Sequence, residues 1–249
     1  MAFTGLVTIH IGISTKLYLS YSQSLDWLGR VTELAREHPG VVDGRVALFV
    51  APSTPLLESA VRLAAGTRVR VAAQDVSRYA EGAHTGETGA PLLAGLGVTM
   101  AEVGHAERRA DGETDAVVAA KVAVAQEAGL TPLLCVGETT RCDPREAAAW
   151  CLEQVRAATT GPLMIAYEPV WAIGAAEPAP ASHVTATVDA LRDGLPGALA
   201  GTPIVYGGSA GPGLLGRLHP SVDGLFLGRF AHDPENVRRV LDEAAALTA

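Results

Sequence analysis

Short apolar runs rich in β-branched residues alternate with longer stretches of Ala, Leu, Glu and Arg along the whole chain. The runs at Leu6–Gly12, Val46–Ala51, Val69–Ala73, Met100–Val103, Pro132–Val136, Leu163–Tyr167, Pro203–Tyr206 and Gly224–Leu227 predict strands. The stretches near 25–37, 55–64, 88–95, 113–128, 144–158, 182–193, 211–218 and 233–247 predict helices, with Ser24, Ser53 and Asp143 as N-caps. The strands are apolar almost throughout, which means burial on both faces, as in a parallel sheet. Eight strand–helix pairs with no composition break or long linker predict an α/β fold, a closed (β/α)8 barrel forming one domain over 1–249. A doubly wound open sheet of the same units is the alternative.

Composition narrows the class of partner more than the fold. At 249 residues the chain is ample for one large core, and 48% hydrophobic against 18% charged residues excludes disorder. No apolar run approaches the roughly 20 residues that span a bilayer. The opening Met1-Ala2-Phe3-Thr4-Gly5 lacks the basic start of a secretory signal. A net charge of −8 argues against nucleic acid and anionic membrane as partners, since both need a basic face. It leaves a small anionic ligand open, because a few cations and backbone N–H groups make a positive pocket in a negative protein. Cys135, Cys142 and Cys151 cannot all pair, and no His stands near them at zinc-binding spacing; they read as free thiols of a reducing cytoplasm.

Fold alone does not give function, but a barrel directs attention to the loops after its strands. Glu168 follows the sixth predicted strand and precedes Pro169-Val170-Trp171-Ala172-Ile173-Gly174. A solvated connector rarely carries such an apolar run; closing over Glu168, it would desolvate the carboxylate and raise its basicity. Pro169 and Gly174 would be the fixed and pivoting ends of that lid. His105, in Gly104-His105-Ala106-Glu107-Arg108-Arg109, reads either as a hydrogen-bonded structural residue or, at a helix N-terminus, as a neutral imidazole that donates to a substrate oxygen. Glu107 reads first as an ion pair with Arg108 or Arg109 that fixes the loop, within reach of the site. Lys16, one of only two lysines, is a natural counter-charge for a phosphate or a developing enolate.

The stretch Tyr206-Gly207-Gly208-Ser209-Ala210-Gly211-Pro212-Gly213-Leu214-Leu215-Gly216 admits three readings. A nucleophile elbow at Ser209, served by Asp223 and His232, leaves too little chain for the rest of a hydrolase core. A dinucleotide fingerprint fails because its glycines fall inside the predicted helix. A glycine turn whose bare N–H groups hold a phosphate remains, with Gly228-Arg229 after the eighth strand completing the place where barrels often bind one. No acidic or His cluster has metal-ligand spacing and no cofactor motif stands up, so the chemistry is expected to run on side chains alone.

Together these residues resemble triosephosphate isomerase. Tyr167-Glu168-Pro169-Val170-Trp171-Ala172-Ile173-Gly174 is similar to that family's signature at every position. Gly104-His105-Ala106-Glu107-Arg108-Arg109 is similar to a second, with Ala for the usual Ser. Ala73-Gln74-Asp75, Gly86-Glu87, Cys135-Val136-Gly137-Glu138 and Tyr206-Gly207-Gly208-Ser209 fall in family order, so the likeness covers essentially the whole chain. It implies a TIM barrel that needs no cofactor or metal and isomerises a small sugar phosphate, a reaction of glycolysis and gluconeogenesis. By that likeness Glu168 is the proton-shuttling base, His105 polarises the carbonyl and Lys16 stabilises charge. Backbone N–H groups near Gly174, Ser209 and Gly228 would bind the phosphate. This family is itself the familiar case of a neutral catalytic imidazole. It also implies a homodimer through the loop Asp75–Thr88, with Thr85 reaching the partner's site.

Departures bear on the substrate. The family's Asn-Trp-Lys is here Ser14-Thr15-Lys16, which removes an amide near the ligand, and its Gly-Gly after strand eight is Gly228-Arg229, which adds a cation by the phosphate. Past Gly174 the lid reads Ala175-Ala176-Glu177 where the family has Thr-Gly-Lys, a change expected to stiffen the trailing hinge. Ser14 and Gly228-Arg229 resemble the branch that acts on tetrulose phosphates such as L-erythrulose 1-phosphate. A barrel that binds phosphate without catalysis is the reading from a different class.

Overall fold

The computed structural model of the protein describes residues 8–159, 161–175 and 177–248. Its strands are β1 (Ile9–Ser14), β2 (Val46–Ala51), β3 (Arg70–Ala73), β4 (Met100–Val103), β5 (Thr131–Val136), β6 (Met164–Tyr167), β7 (Ile204–Tyr206) and β8 (Gly224–Leu227). Each pairs in parallel with its sequence neighbour, and β8 returns to β1, so the sheet closes as a barrel and the open-sheet alternative falls. The helices between them are α1 (Tyr21–Glu37), α2 (Pro39–Val42), α3 (Leu57–Ala64), α4 (Ala90–Leu96) and α5 (Ala106–Ala110). They continue with α6 (Asp115–Glu127), α7 (Pro144–Ala158), α8 (Ala181–Gly194), α9 (Leu215–Leu218) and α10 (Pro234–Leu247). Among the described residues no helix is long and apolar enough to cross a membrane.

Local chemistry explains where the elements depart from expectation. β1 runs later than Leu6–Gly12, because Gly12 interrupts but does not end the apolar pattern; Leu6 itself lies outside the described residues. Ser14 therefore closes the strand instead of opening a loop. The cap of α1 is Ser20, not Ser24: the Ser20 hydroxyl accepts from the Gln23 N–H while the Gln23 side chain returns to the Ser20 N–H, a reciprocal pair. Ser24 is buried inside the helix. Ser53 caps nothing with its side chain and instead donates to the Lys16 carbonyl at 2.8 Å. Asp143 does cap α7, accepting from the Arg145 N–H. α2 and α5 are too short to show a periodic signature.

Two layers of core hold the barrel. One lies between strands and helices, around residues such as Ile11, Leu48, Val122, Ile165 and Leu241. The other fills the interior with Phe49, Ala51, Ala72, Met100, Leu133, Cys135, Met164, Ala166, Val205 and Phe226. Large and small residues alternate there: Phe49 and Phe226 stack with centroids 5.8 Å apart over Gly12, where an added Cβ would meet Phe49 at 2.1 Å. Closure has a similar demand. Gly224 opposes His10 across the β1–β8 seam, and a Cβ on it would stand 1.8 Å from the His10 carbonyl oxygen. That obstacle is backbone and cannot rotate aside. Gly224→Ala is expected to cost about 3 kcal/mol, the upper part of the range for overpacking. Its urea unfolding midpoint should fall accordingly, and a midpoint equal to the wild type's would show that the seam is not so tight.

Candidate active site

Strand alternation decides which side chains look into the barrel. Met100 belongs to the interior cluster, so Glu102, two residues on, faces inward at the carboxyl end of β4. The same count places Ser14 at the end of β1 and, one residue beyond β3, β6 and β7, Gln74, Glu168 and Gly207. The interior is thus apolar below and polar at its carboxyl rim. Closure of the sheet brings these distant groups together.

Glu168 is buried, and its Oε2 lies 3.4 Å from His105 Nε2. Gly207 leaves the room it occupies: a Cβ there would stand 2.6 Å from Glu168 Oε1. His105 is the N-cap of α5, and its Nδ1 accepts the Glu107 backbone N–H at 3.1 Å. With Nδ1 an acceptor, the neutral ring carries its proton on Nε2, the atom that faces Glu168. Burial and then the charge of Lys16 lower the His105 pKa to about 4, outweighing Glu107, so the imidazole is uncharged near neutrality. Its approaches to Glu168 and, at 3.9 Å, to Glu102 are then close contacts of a neutral ring rather than ion pairs.

Lys16 Nζ reaches Glu107 Oε1 at 2.7 Å. Burial opposes its ammonium, but the hydrogen bond to Glu107 and the charges of Glu107, Glu168 and Glu102 outweigh it and hold the pKa above the ordinary lysine value. Its backbone is left-handed, with φ 47°, a strained conformation for a side chain of this size. Ser53 Oγ and Gln74 Nε2 both donate to the Lys16 carbonyl, at 2.8 and 3.3 Å, and pin it there.

Burial raises both inward carboxyls. Glu168 is pushed well above the usual range, first by desolvation and then by Glu102, with Lys16 and the Cys135 thiol pulling the other way. Glu102 is raised to about 8, again mainly by desolvation, with Lys16 and the Ser14 hydroxyl opposing. In the unliganded protein burial thus favours the protonated form of both.

The loops after β6, β7 and β8 form the opposite side of the rim. Ser209 Oγ donates to the carbonyls of Ala172 and Ala175, at 3.3 and 2.9 Å, tying the β7 loop to the segment after β6. Gly174 takes a φ of 73° beside them. Gly228 follows β8, and the Arg229 guanidinium stands 5.9 Å from the Tyr18 ring centroid. One cavity of about 850 Å³ is lined by Ser14, Lys16, His105, Glu107, Glu168, Gly174, Ser209, Gly228 and Arg229, the residues that the resemblance placed at the substrate.

The family model described as triosephosphate isomerase matches residues 9–244. The chain belongs to the triosephosphate isomerase family. It is 45% identical to an L-erythrulose-1-phosphate isomerase of Pectobacterium atrosepticum over 96% of each chain. It is 37% identical to an enzyme of the same name from Mesorhizobium japonicum, over 96% of this chain and 98% of that one. A triosephosphate isomerase of Thermus thermophilus is 42% identical over 86% of this chain and 89% of its own.

Within this member of the triosephosphate isomerase family some expectations need correction. Glu107 pairs with Lys16, not with an arginine: Arg108 goes to Asp75 at 3.3 Å and Arg109 to Asp115 at 2.6 Å. The two arginines leave along α5 while Glu107, in its first turn, turns back to the rim. The nucleophile-elbow constellation is not assembled, since Ser209 is bonded to carbonyls and Asp223 is held by Arg192 and the Ile204 N–H. Ala176 lies outside the described residues.

Two groups escaped the sequence reading. Buried Glu138 accepts from Trp171 Nε1 at 2.7 Å and from Tyr167 OH at 3.2 Å, with His183 Nε2 also at 3.2 Å, and so anchors the segment that follows Glu168. Glu102 is the other; an acid inside the apolar run Met-Ala-Glu-Val was the available signal. Its proton has a measurable signature. The folded pKa, about 8, is above the unfolded value of 4.5, so the folded state binds the extra proton, and stability contributed by Glu102 falls as pH rises through that window. Glu102→Gln removes the titration. The stability of this variant relative to wild type should therefore climb from pH 5 to pH 8 and level off above. A pH-independent difference in denaturation free energy would mean that Glu102 is not buried as a proton-binding acid.

Proposed function

We propose that the protein isomerises a small phosphorylated sugar by moving a proton between adjacent carbons, with Glu168 as the base, and that its substrate is a tetrulose phosphate. The observation that carries the chemistry is the approach of a buried carboxyl, an uncharged imidazole donor and an ammonium within one cavity of about 850 Å³. Glu168 in its ionised form, drawn out by Lys16, takes the proton from the carbon beside the carbonyl. His105 donates its Nε2–H to the carbonyl oxygen, and Lys16, steadied by Glu107, offsets the negative charge that develops there. Backbone N–H groups of Gly174, Ser209 and Gly228, with Arg229, hold the phosphate away from the reacting carbons. Ser14 lines the wall next to Lys16.

Three features favour the tetrulose substrate. The relatives named L-erythrulose-1-phosphate isomerase include one at 45% identity. Ser14 is shorter than the family's amide, and Arg229 puts a cation at the phosphate end. In L-erythrulose 1-phosphate the phosphate is on C1 and the carbonyl at C2, so a proton moved from C3 to C2 gives the isomeric 3-ketose. On a triose phosphate the identical step is an aldose–ketose exchange. The triose is the second reading, favoured by the 42% identity to the Thermus thermophilus enzyme. It would place the reaction in glycolysis and gluconeogenesis; the tetrulose reading would not.

Wild-type kcat/KM should favour L-erythrulose 1-phosphate over glyceraldehyde 3-phosphate by at least about 10-fold, within the range that one pocket contact supplies. On the preferred substrate Glu168→Gln should lower kcat by about 10²-fold or more. A Gln variant that still exchanges the substrate C–H proton with deuterated water at the wild-type rate would remove Glu168 from the role of base.

We infer also that the chain works as a homodimer in the cytoplasm. Leu17 is 89% exposed and Tyr18 56%, beside the catalytic lysine, and an exposed apolar pair so placed asks for a cover. A groove next to them, lined by Gln74, Asp75, Gly86, Glu87 and Arg108, opens on Ser14 and Lys16 and would accept the Asp75–Thr88 loop of a second copy, Thr85 included. The three cysteines are free thiols, as a reducing compartment allows. Light scattering should give twice the chain mass at micromolar concentration, and a monomer mass there would end the dimer proposal.

A further inference from the structure

Glu102 has no part in the chemistry so far. It is 3% exposed, faces the barrel interior at the rim of β4, and its Oε2 has no hydrogen-bond partner among the described residues. A buried carboxyl without a partner is unfavourable, and an apolar side chain would suit that position better if packing were its only task. The Ser14 hydroxyl serves the carboxyl, while Oε2 asks for a polar partner that the described residues do not supply.

Its surroundings indicate what the partner is. Glu102 lines the groove beside the substrate cavity, together with Gln74 and with Ser14, Lys16 and His105, which line both. Its Oε1 is 3.9 Å from His105 Nε2, so it adjoins the reacting centre without replacing any member of it. β4 stands across the closed barrel from β8, and the phosphate loops follow β6, β7 and β8. A ligand whose phosphate rests on those loops and whose reacting carbons lie between Glu168 and Lys16 presents its far end to Glu102 and Ser14. Near neutrality the carboxyl is protonated, with one O–H donor and one carbonyl acceptor. A hydroxyl gives and takes hydrogen bonds in the same way. In a triose phosphate every oxygen outside the phosphate is on a reacting carbon and is engaged there. A tetrulose phosphate carries one further hydroxymethyl group at that end.

We propose that Glu102 and Ser14 form the specificity-determining pair that binds this hydroxymethyl group. The inference rests on the tetrulose reading above. Oε2–H donates to the terminal hydroxyl, and that hydroxyl donates back to Ser14 Oγ or to Oε1.

The test compares the full-length wild type with Glu102→Leu and Glu102→Gln on L-erythrulose 1-phosphate and glyceraldehyde 3-phosphate. For Glu102→Leu the tetrulose-to-triose ratio of kcat/KM should fall about 10- to 200-fold, chiefly through the tetrulose KM. Glu102→Gln keeps a donor and an acceptor and should restore most of the ratio. Should the Leu variant fail to fold, Ser14→Ala carries the same comparison with a smaller fall. Two substrates losing rate in parallel would mean that Glu102 acts only through the field at Glu168, and would overturn the pair. A wild-type preference for tetrulose that survives Glu102→Leu overturns it as well and leaves the tetrulose reading standing. A wild type that turns over only the triose overturns both.

Discussion

One ammonium answers for three carboxyls. Lys16 Nζ is bonded to Glu107 and sits in the field of Glu168 and Glu102, two acids that burial alone would keep un-ionised. Without that charge the two inward carboxyls would be held more firmly in their protonated form, and burial alone would oppose protonation of the His105 ring. The position of the ammonium is in turn fixed by a left-handed backbone, φ 47°, that only an over-determined setting maintains. Ser53 from the β2 side and Gln74 from the β3 side supply it by donating to the same carbonyl. The site therefore depends on closure twice: once to face β1 toward β4 and β6, and once to bring β2 and β3 under Lys16.

Closure also explains how much of the molecule was legible in the sequence. Short apolar runs separated by helical stretches point to a parallel sheet, and the strand positions were readable to within three residues even at β1, while closure of the sheet decided between the barrel and the open alternative. The residues of the cavity were readable because a barrel places strand ends at one rim, and Glu168, His105 and Lys16 all follow strands. Partnerships were not. Glu107 has arginines beside it in sequence, and only the fold shows it turning to a lysine 91 residues away. The N-cap of α1 went wrong by one turn because Ser20 and Ser24 carry the same local signal. What separates them is the Gln23 side chain folding back, a matter of conformation and not of pattern.

Glu102 and Glu138 were missed for opposite reasons. Glu138 lies where acids are ordinary, after a strand, and nothing in its neighbours reveals that an indole, a phenol and an imidazole converge on it. Glu102 lies where an acid is out of place, within a strand buried on both faces. The second kind of signal is the stronger one, since a carboxyl in an apolar run must be explained by a partner or by a ligand.

On the proposed tetrulose reading, the two buried carboxyls let a pocket change its substrate without changing its reaction. Ionised, Glu102 would drive Glu168 further toward its protonated form, because its charge acts on that carboxyl across a dry interior. Protonated, it is only a dipole at the edge of the site. A ligand hydroxyl that accepts from Oε2–H favours the protonated form, so the contact that selects the longer sugar also spares the base a neighbouring charge. An amide at the end of β1 would not provide this, having no proton whose retention depends on the ligand. On the proposed reading the chemistry at Glu168, His105 and Lys16 stays fixed while Ser14 of β1 and Glu102 of β4 choose the length of the carbon chain.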